Sequence, residues 1–135
     1  MAQNYLGEEA AKFFEGVYLA TRKGVLEWEQ TASPSILAAP LGDDYVVQLS
    51  AVADLEDRSE TPDHVLTLYK GQQELLAIDR RDVSINELGD ITEPGLESTY
   101  SFFKDLWYRS MAKATKLDQH LSVVNKLLDK KLQSN

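Results

Sequence analysis

Apolar residues recur every three or four positions at both ends of the chain and every second position in its middle. Near the N-terminus Ala10, Phe13, Phe14, Val17 and Tyr18 form a stripe, with Glu8, Glu9, Lys12, Glu15 and Arg22 outside it. That spacing predicts a helix over 8–23. Glu8 and Glu9 put negative charge in the first turn, where the helix dipole favours it, and Gly24 is placed to end the helix in a left-handed cap.

Alternation then takes over. "VLEWEQ" sets Leu26 and Trp28 against Glu27 and Glu29, and "YVVQLSAVADL" sets Tyr45, Val47, Leu49, Ala51, Ala53 and Leu55 against Gln48, Ser50 and Asp54. Both read as strands with one buried face. "HVLTLYKGQQELLAI" predicts a hairpin turning near Lys70 and Gly71 and returning through Leu75 to Ile78, and "DVSIN" offers a short further strand. Residues 31–44, "TASPSILAAPLGDD", have the proline, glycine and serine of a loop but carry Ile36, Leu37 and Leu41. Such an apolar loop either tucks against the core edge or serves a partner. Residues 54–63 form a polar, acidic loop.

The last pattern is the longest. Leu96, Tyr100, Phe103, Trp107, Ser110, Ala114, Leu117, Leu121, Val124 and Leu128 follow one another at alternating spacings of four and three, a heptad seam. The run 102–132 holds no glycine or proline, so it reads as one unbroken helix from Leu96 to Leu132; the alternative left open is a chain that kinks near Ala114 and Thr115 and folds back, which no proline or glycine requires. The unbroken helix measures roughly 55 Å at 1.5 Å per residue. A compact domain of this size is only about 35–40 Å across. Tyr100, Phe103, Leu106 and Trp107 should pack on the sheet, whereas Leu117, Leu121, Val124 and Leu128 continue past it.

These elements define an α+β fold: an N-terminal helix, an antiparallel meander of about four strands, and a long C-terminal helix. The 135 residues suit one domain, 1–135, with the far part of the last helix, about 114–132, projecting as an interaction element.

Composition narrows the function. With no cysteine, disulfides, thiol catalysis and cysteine-ligated metals are excluded. The net charge of −8 is uneven, because Lys113, Lys116, Lys126, Lys130 and Lys131 face only Asp118 and Asp129 beyond residue 112. The body is therefore acidic and repels phosphate backbones, which argues against nucleic acid. "MAQNYLGEEAAKFF" lacks the basic start and apolar run of a signal peptide, and no stretch reaches the ~18 apolar residues of a membrane span. A soluble, cytoplasmic protein that does not enter membranes is expected.

Catalytic constellations are sparse. His64 and His120, the two histidines, do not fit a helical metal pair and read as surface or boundary residues. The acidic loop has no glycine for a calcium-binding turn. Ser110-Met-Ala-Lys113 matches Ser-x-x-Lys but lacks the accompanying SDN and KTG motifs. No glycine-rich phosphate loop and no GxSxG elbow occurs. No catalytic, cofactor-binding or metal site is expected.

"TRKGVLEW", residues 21–28, resembles the T-x-x-G-x-L-x-W opening of small bacterial α+β domains of unassigned function, and "FFKDLWYRSMAKA" resembles the aromatic-rich helix that closes them. Size and acidity are also similar to those of type III secretion chaperones and toxin-immunity proteins. The motif resemblance implies a structural role, a cap followed by an inward Leu26 and Trp28, and the compositional similarity implies only a class of possibilities.

Two functional expectations follow. The first is a protein–protein interaction module, chaperone-like, immunity-like or an adaptor, forming a homodimer through Leu117, Leu121, Val124 and Leu128. The second is a small-molecule-binding or enzymatic domain with a pocket between the sheet and the long helix, lined by Trp28, Tyr45, His64 and Trp107.

Overall fold

The structure, a computed structural model, describes residues 2–52, 63–88, 96 and 98–134. Helix α1 runs Ala2–Arg22, carrying Gly7 inside it and so starting earlier than the apolar stripe indicates. It stops as expected. Gly24 adopts φ +77°, its N–H bonds the Thr21 carbonyl, and the Val25 N–H reaches back to Ala20, the paired closure of a Schellman cap.

Five strands follow: β1 Glu29–Gln30, β2 Ile36–Gly42, β3 Tyr45–Val52, β4 Asp63–Lys70 and β5 Gln73–Ile78. They form an antiparallel meander in the order of the sequence. One cross-strand row runs Leu37, Leu49, Leu66, Ile78, each at most 2% exposed. Period-two alternation thus places one apolar residue per strand at the same height, which fixes the register.

The sheet has one strand more than the alternation predicts. Half of the segment expected to be an apolar loop is β2, whose Leu37 and Ala39 are buried while Leu41 is exposed. Pro40 and Gly42 disguise it, because proline within a run argues against a strand. The register shifts between those two residues. Conversely, only Glu29–Gln30 of the "VLEWEQ" segment pairs, although Leu26 and Trp28 do point inward. "DVSIN" is a turn followed by a 3₁₀ turn at Ile85–Glu87, with Val83 buried and Ile85 exposed. The hairpin turns at Gly71, φ +58°, as expected. A shift between Leu68 and Tyr69 sends Leu75 outward and leaves Leu76 facing Leu68. Residues 54–62 of the acidic loop lie outside the described residues.

Helix α2, Thr99–Ala114, packs with α1 over one face of the sheet. Ser98 caps it by accepting the Ser101 N–H, and Thr99 Oγ1 donates to the Val83 carbonyl. Phe103 lies on Phe14 with ring centroids 4.3 Å apart, and Phe102 meets Tyr18 edge-on at 5.4 Å. These aromatics, with Leu106, close the core between helices and sheet.

The single long helix does not form. α2 ends at Ala114, and a separate α3 runs Leu117–Gln133. Between them Lys116 takes a left-handed conformation, φ 55° and ψ 43°. Thr115 Oγ1 donates to the Met111 carbonyl at 2.8 Å beside the Thr115 N–H, which bonds the same oxygen at 2.9 Å, and the Lys116 N–H then reaches back only three residues, to the Lys113 carbonyl. Neither proline nor glycine is needed for the elbow. Leu96 precedes the helix and is half-buried.

Candidate functional site

Every described residue of α3 is exposed. Leu117, Leu121, Val124 and Leu128 are 43%, 46%, 44% and 50% accessible, and Val123, Leu127 and Leu132 are more so. With about 100° between successive residues, the first four fall on one stripe, with His120 and Leu127 flanking it. Asp118 and Gln119, from the polar side of the same first turn, line a cleft at the elbow instead. The helix thus turns polar residues toward its own body and leaves its apolar stripe uncovered. All four interface residues expected from the sequence lie on this stripe.

The elbow cleft encloses about 760 Å³ between β1, the end of α2 and the start of α3. Its walls are mixed in charge: Glu27, Glu29 and Asp118 stand with Arg109, Lys113 and Lys116. Lys113 Nζ lies 3.6 Å from Glu27 Oε1. Trp28 forms part of the wall but is itself 3% exposed, its Nε1 donating to Thr21 Oγ1 at 2.9 Å, and Thr21 donates on to the Val17 carbonyl. This chain of bonds fastens the start of the sheet to the end of α1.

The four residues expected to line a pocket are not brought together. His64 and Trp107 do meet, with ring centroids 5.6 Å apart, where β4 passes under α2. Trp28 belongs to the elbow. Tyr45 pairs with Lys70 across β3 and β4, and the Lys70 ammonium sits 4.4 Å from its ring centroid. His64 pairs with Ala51, six residues along β4 from Lys70, which separates it from Tyr45 by roughly 20 Å at about 3.3 Å per residue.

His64 departs from its expected place at the surface. It is 2% exposed, beside Trp107 and Tyr100, and its Nδ1 has no hydrogen-bond partner among the described residues. The buried hydroxyls of Tyr100 and Ser110 likewise have none there. Burial lowers the His64 pKa from its ordinary 6.5; the Asp63 carboxylate opposes this and the Lys104 ammonium adds to it. Asp63 itself accepts from Arg80 Nε at 3.1 and 3.2 Å. A neutral imidazole enclosed by aromatic rings, with its neighbouring carboxylate engaged by arginine, is arranged as core packing. Alternation did carry a signal: His64 occupies the inward parity of Leu66 and Leu68.

Among the described residues no group of three or more His, Asp or Glu is placed to hold a metal ion. No described helix is long and apolar enough to cross a membrane. No family model, curated protein or solved structure matches the chain. Any functional reading therefore rests on the chain's own geometry.

Proposed function

We propose that this chain is a small bacterial, cytoplasmic protein–protein interaction module that self-associates through α3. A chaperone-like, immunity-like or adaptor role is consistent with its acidic body, which suits a basic protein partner. The observation that carries the reading is the uncovered stripe of Leu117, Leu121, Val124 and Leu128 on a helix without a buried residue. A 17-residue helix that packs on nothing is marginal in water, so α3 needs a cover to persist.

Energies favour a reversible contact. Full burial of an aliphatic side chain contributes about 1.5–3 kcal/mol, and these four start half-covered by their own helix. Eight such residues from two chains give roughly 6–12 kcal/mol at half that value, against an association cost of about 4–15 kcal/mol. The two ranges overlap, so association should depend on concentration. Light scattering on a sizing column over a dilution series tests it. A mass near twice 15.2 kDa at high concentration, falling on dilution, is expected. A strict monomer throughout removes self-association.

The elbow cleft is an observation on the side of a small-molecule-binding or enzymatic domain, since its volume falls within the usual range for ligand sites. A thermal-shift screen against nucleotides, metals and metabolites addresses it, and no hit leaves that reading without support.

A further inference from the structure

We infer that two copies of the chain pair through α3 in antiparallel orientation, Leu117 of one against Leu128 of the other and Leu121 against Val124. This rests on the self-association proposed above and specifies its geometry.

The spacing of the stripe is the first argument. Within α3 the steps from Leu117 to Leu121 to Val124 to Leu128 are four, three and four, the same read in either direction. A two-fold axis perpendicular to the helix between residues 122 and 123 therefore carries the stripe onto itself. All four residues then interdigitate in four layers of purely aliphatic side chains. On the flanks His120 comes beside Leu127 of the other copy, and Asp118 beside Asn125, so no like charges meet.

Lys131 supplies the second argument. It occupies the next position of the same seam, three residues beyond Leu128. In a parallel pair Lys131 faces its own copy in the last layer of the seam. In the antiparallel pair shifted by one heptad it is buried against Leu121, and Leu117 loses its partner. The antiparallel pairing centred between 122 and 123 keeps all four stripe residues paired and leaves the lysine outside the apolar layers, and a polar seam residue commonly selects register in this way.

Net charge supplies the third. From Leu117 onward three lysines face two aspartates, a net +1, so residues 1–116 carry −9 of the chain's total −8. Parallel helices bring two such bodies to the same end. Antiparallel helices set them at opposite ends of an overlap about 17 Å long at 1.5 Å per residue, beyond the roughly 8 Å screening length of physiological salt. The tip with Lys126, Lys130 and Lys131 then lies toward the mixed-charge elbow of the other copy, and the helix dipoles oppose.

The absence of cysteine makes the test clean. Leu117→Cys and Leu128→Cys, both at exposed positions, are expressed separately with different mass tags, confirmed folded by circular dichroism, mixed, and joined by a short bis-maleimide. The mixed adduct is expected to exceed either like adduct at least ten-fold. A dominant Leu117→Cys homodimer overturns the antiparallel arrangement while self-association stands. No adduct from a protein that is dimeric by mass also overturns this inference alone. No adduct and a monomeric mass overturn both.

Discussion

The phenol of Tyr18 on α1 donates a 2.6 Å hydrogen bond to Oδ2 of Asp105 on α2, the same oxygen that accepts from Arg109 Nε at 2.7 Å. Tyr18 is fully buried, and its ring meets Phe102 edge-on, so one side chain supplies both apolar packing and a charge-assisted tie between the helices. The two helices therefore cover the sheet as one layer with a defined register.

Removing only the hydroxyl isolates the tie. Tyr18→Phe keeps the ring contacts, and hydrogen bonds to charged groups are worth about 1.5–3 kcal/mol. Asp105 retains Arg109, so a loss near the lower end is expected, read as a lower urea midpoint with an unchanged slope. An unchanged midpoint shows that the bond contributes nothing net.

The end of α1 makes a cleaner backbone test. Gly24 sits at φ +77° with nothing within 4 Å of the place a Cβ would occupy, so a substitution meets strain and no collision. Gly24→Ala should cost about 1–2 kcal/mol, the left-handed penalty of an L-residue. Gly16, inside α1 and also in open space, is the control: Gly16→Ala should stabilise by roughly 0.5–1 kcal/mol. Opposite signs for one chemical change, measured by denaturant unfolding, check the cap. Destabilisation by both variants sinks this account.

What the sequence showed and what it hid divide along one physical line. Periodicity reports burial of a face, and where burial decided the structure it was legible, as in the Leu49 and Leu66 row; the stop at Gly24 and the turn at Gly71 were legible from the positive φ that glycine takes without strain. β2 was obscured because Pro40 and Gly42 occupy the strand end where the register shifts. The elbow was legible only as an open alternative, a kink near Ala114 and Thr115, and no residue there selected it. Lys116 has no intrinsic preference for φ 55°, and the heptad spacing from Ser110 through Ala114 to Leu117 runs straight across the break. Tyr45 and His64 share a polar-tipped chemistry with Trp28 but stand at opposite ends of the β3–β4 pairing. A single sequence read locally has no measure of that separation.

Burial of His64 makes stability depend on pH. Its pKa is lowered in the folded state, first by desolvation, so between that value and the ordinary 6.5 the unfolded chain binds more protons than the folded one. Stability is then fully present above pH 6.5 and is lost as pH falls through the folded pKa, by at most about 1.4 kcal/mol per pH unit. His64→Leu, which also removes the unpartnered Nδ1, should lose less stability than the wild type between pH 7 and 5. Equal slopes in wild type and His64→Leu show that the imidazole is not the group responsible.

The last prediction concerns α3, where folding and association are one process. Leu121 touches none of the buried core, so Leu121→Glu should leave the cooperative unfolding of the body within about 0.5 kcal/mol of wild type, as is usual for surface changes. Its effect should fall on the helix itself. A charge in the central layers opposes pairing, and an unpaired 17-residue helix is marginal, so helical ellipticity should drop with the loss of the dimer mass. Diluting the wild type should produce the same drop continuously, while the core aromatic signal from Phe14, Tyr18 and Phe103 stays constant. Helicity that is independent of both dilution and Leu121→Glu shows that α3 is stable uncovered, and the need for a partner disappears.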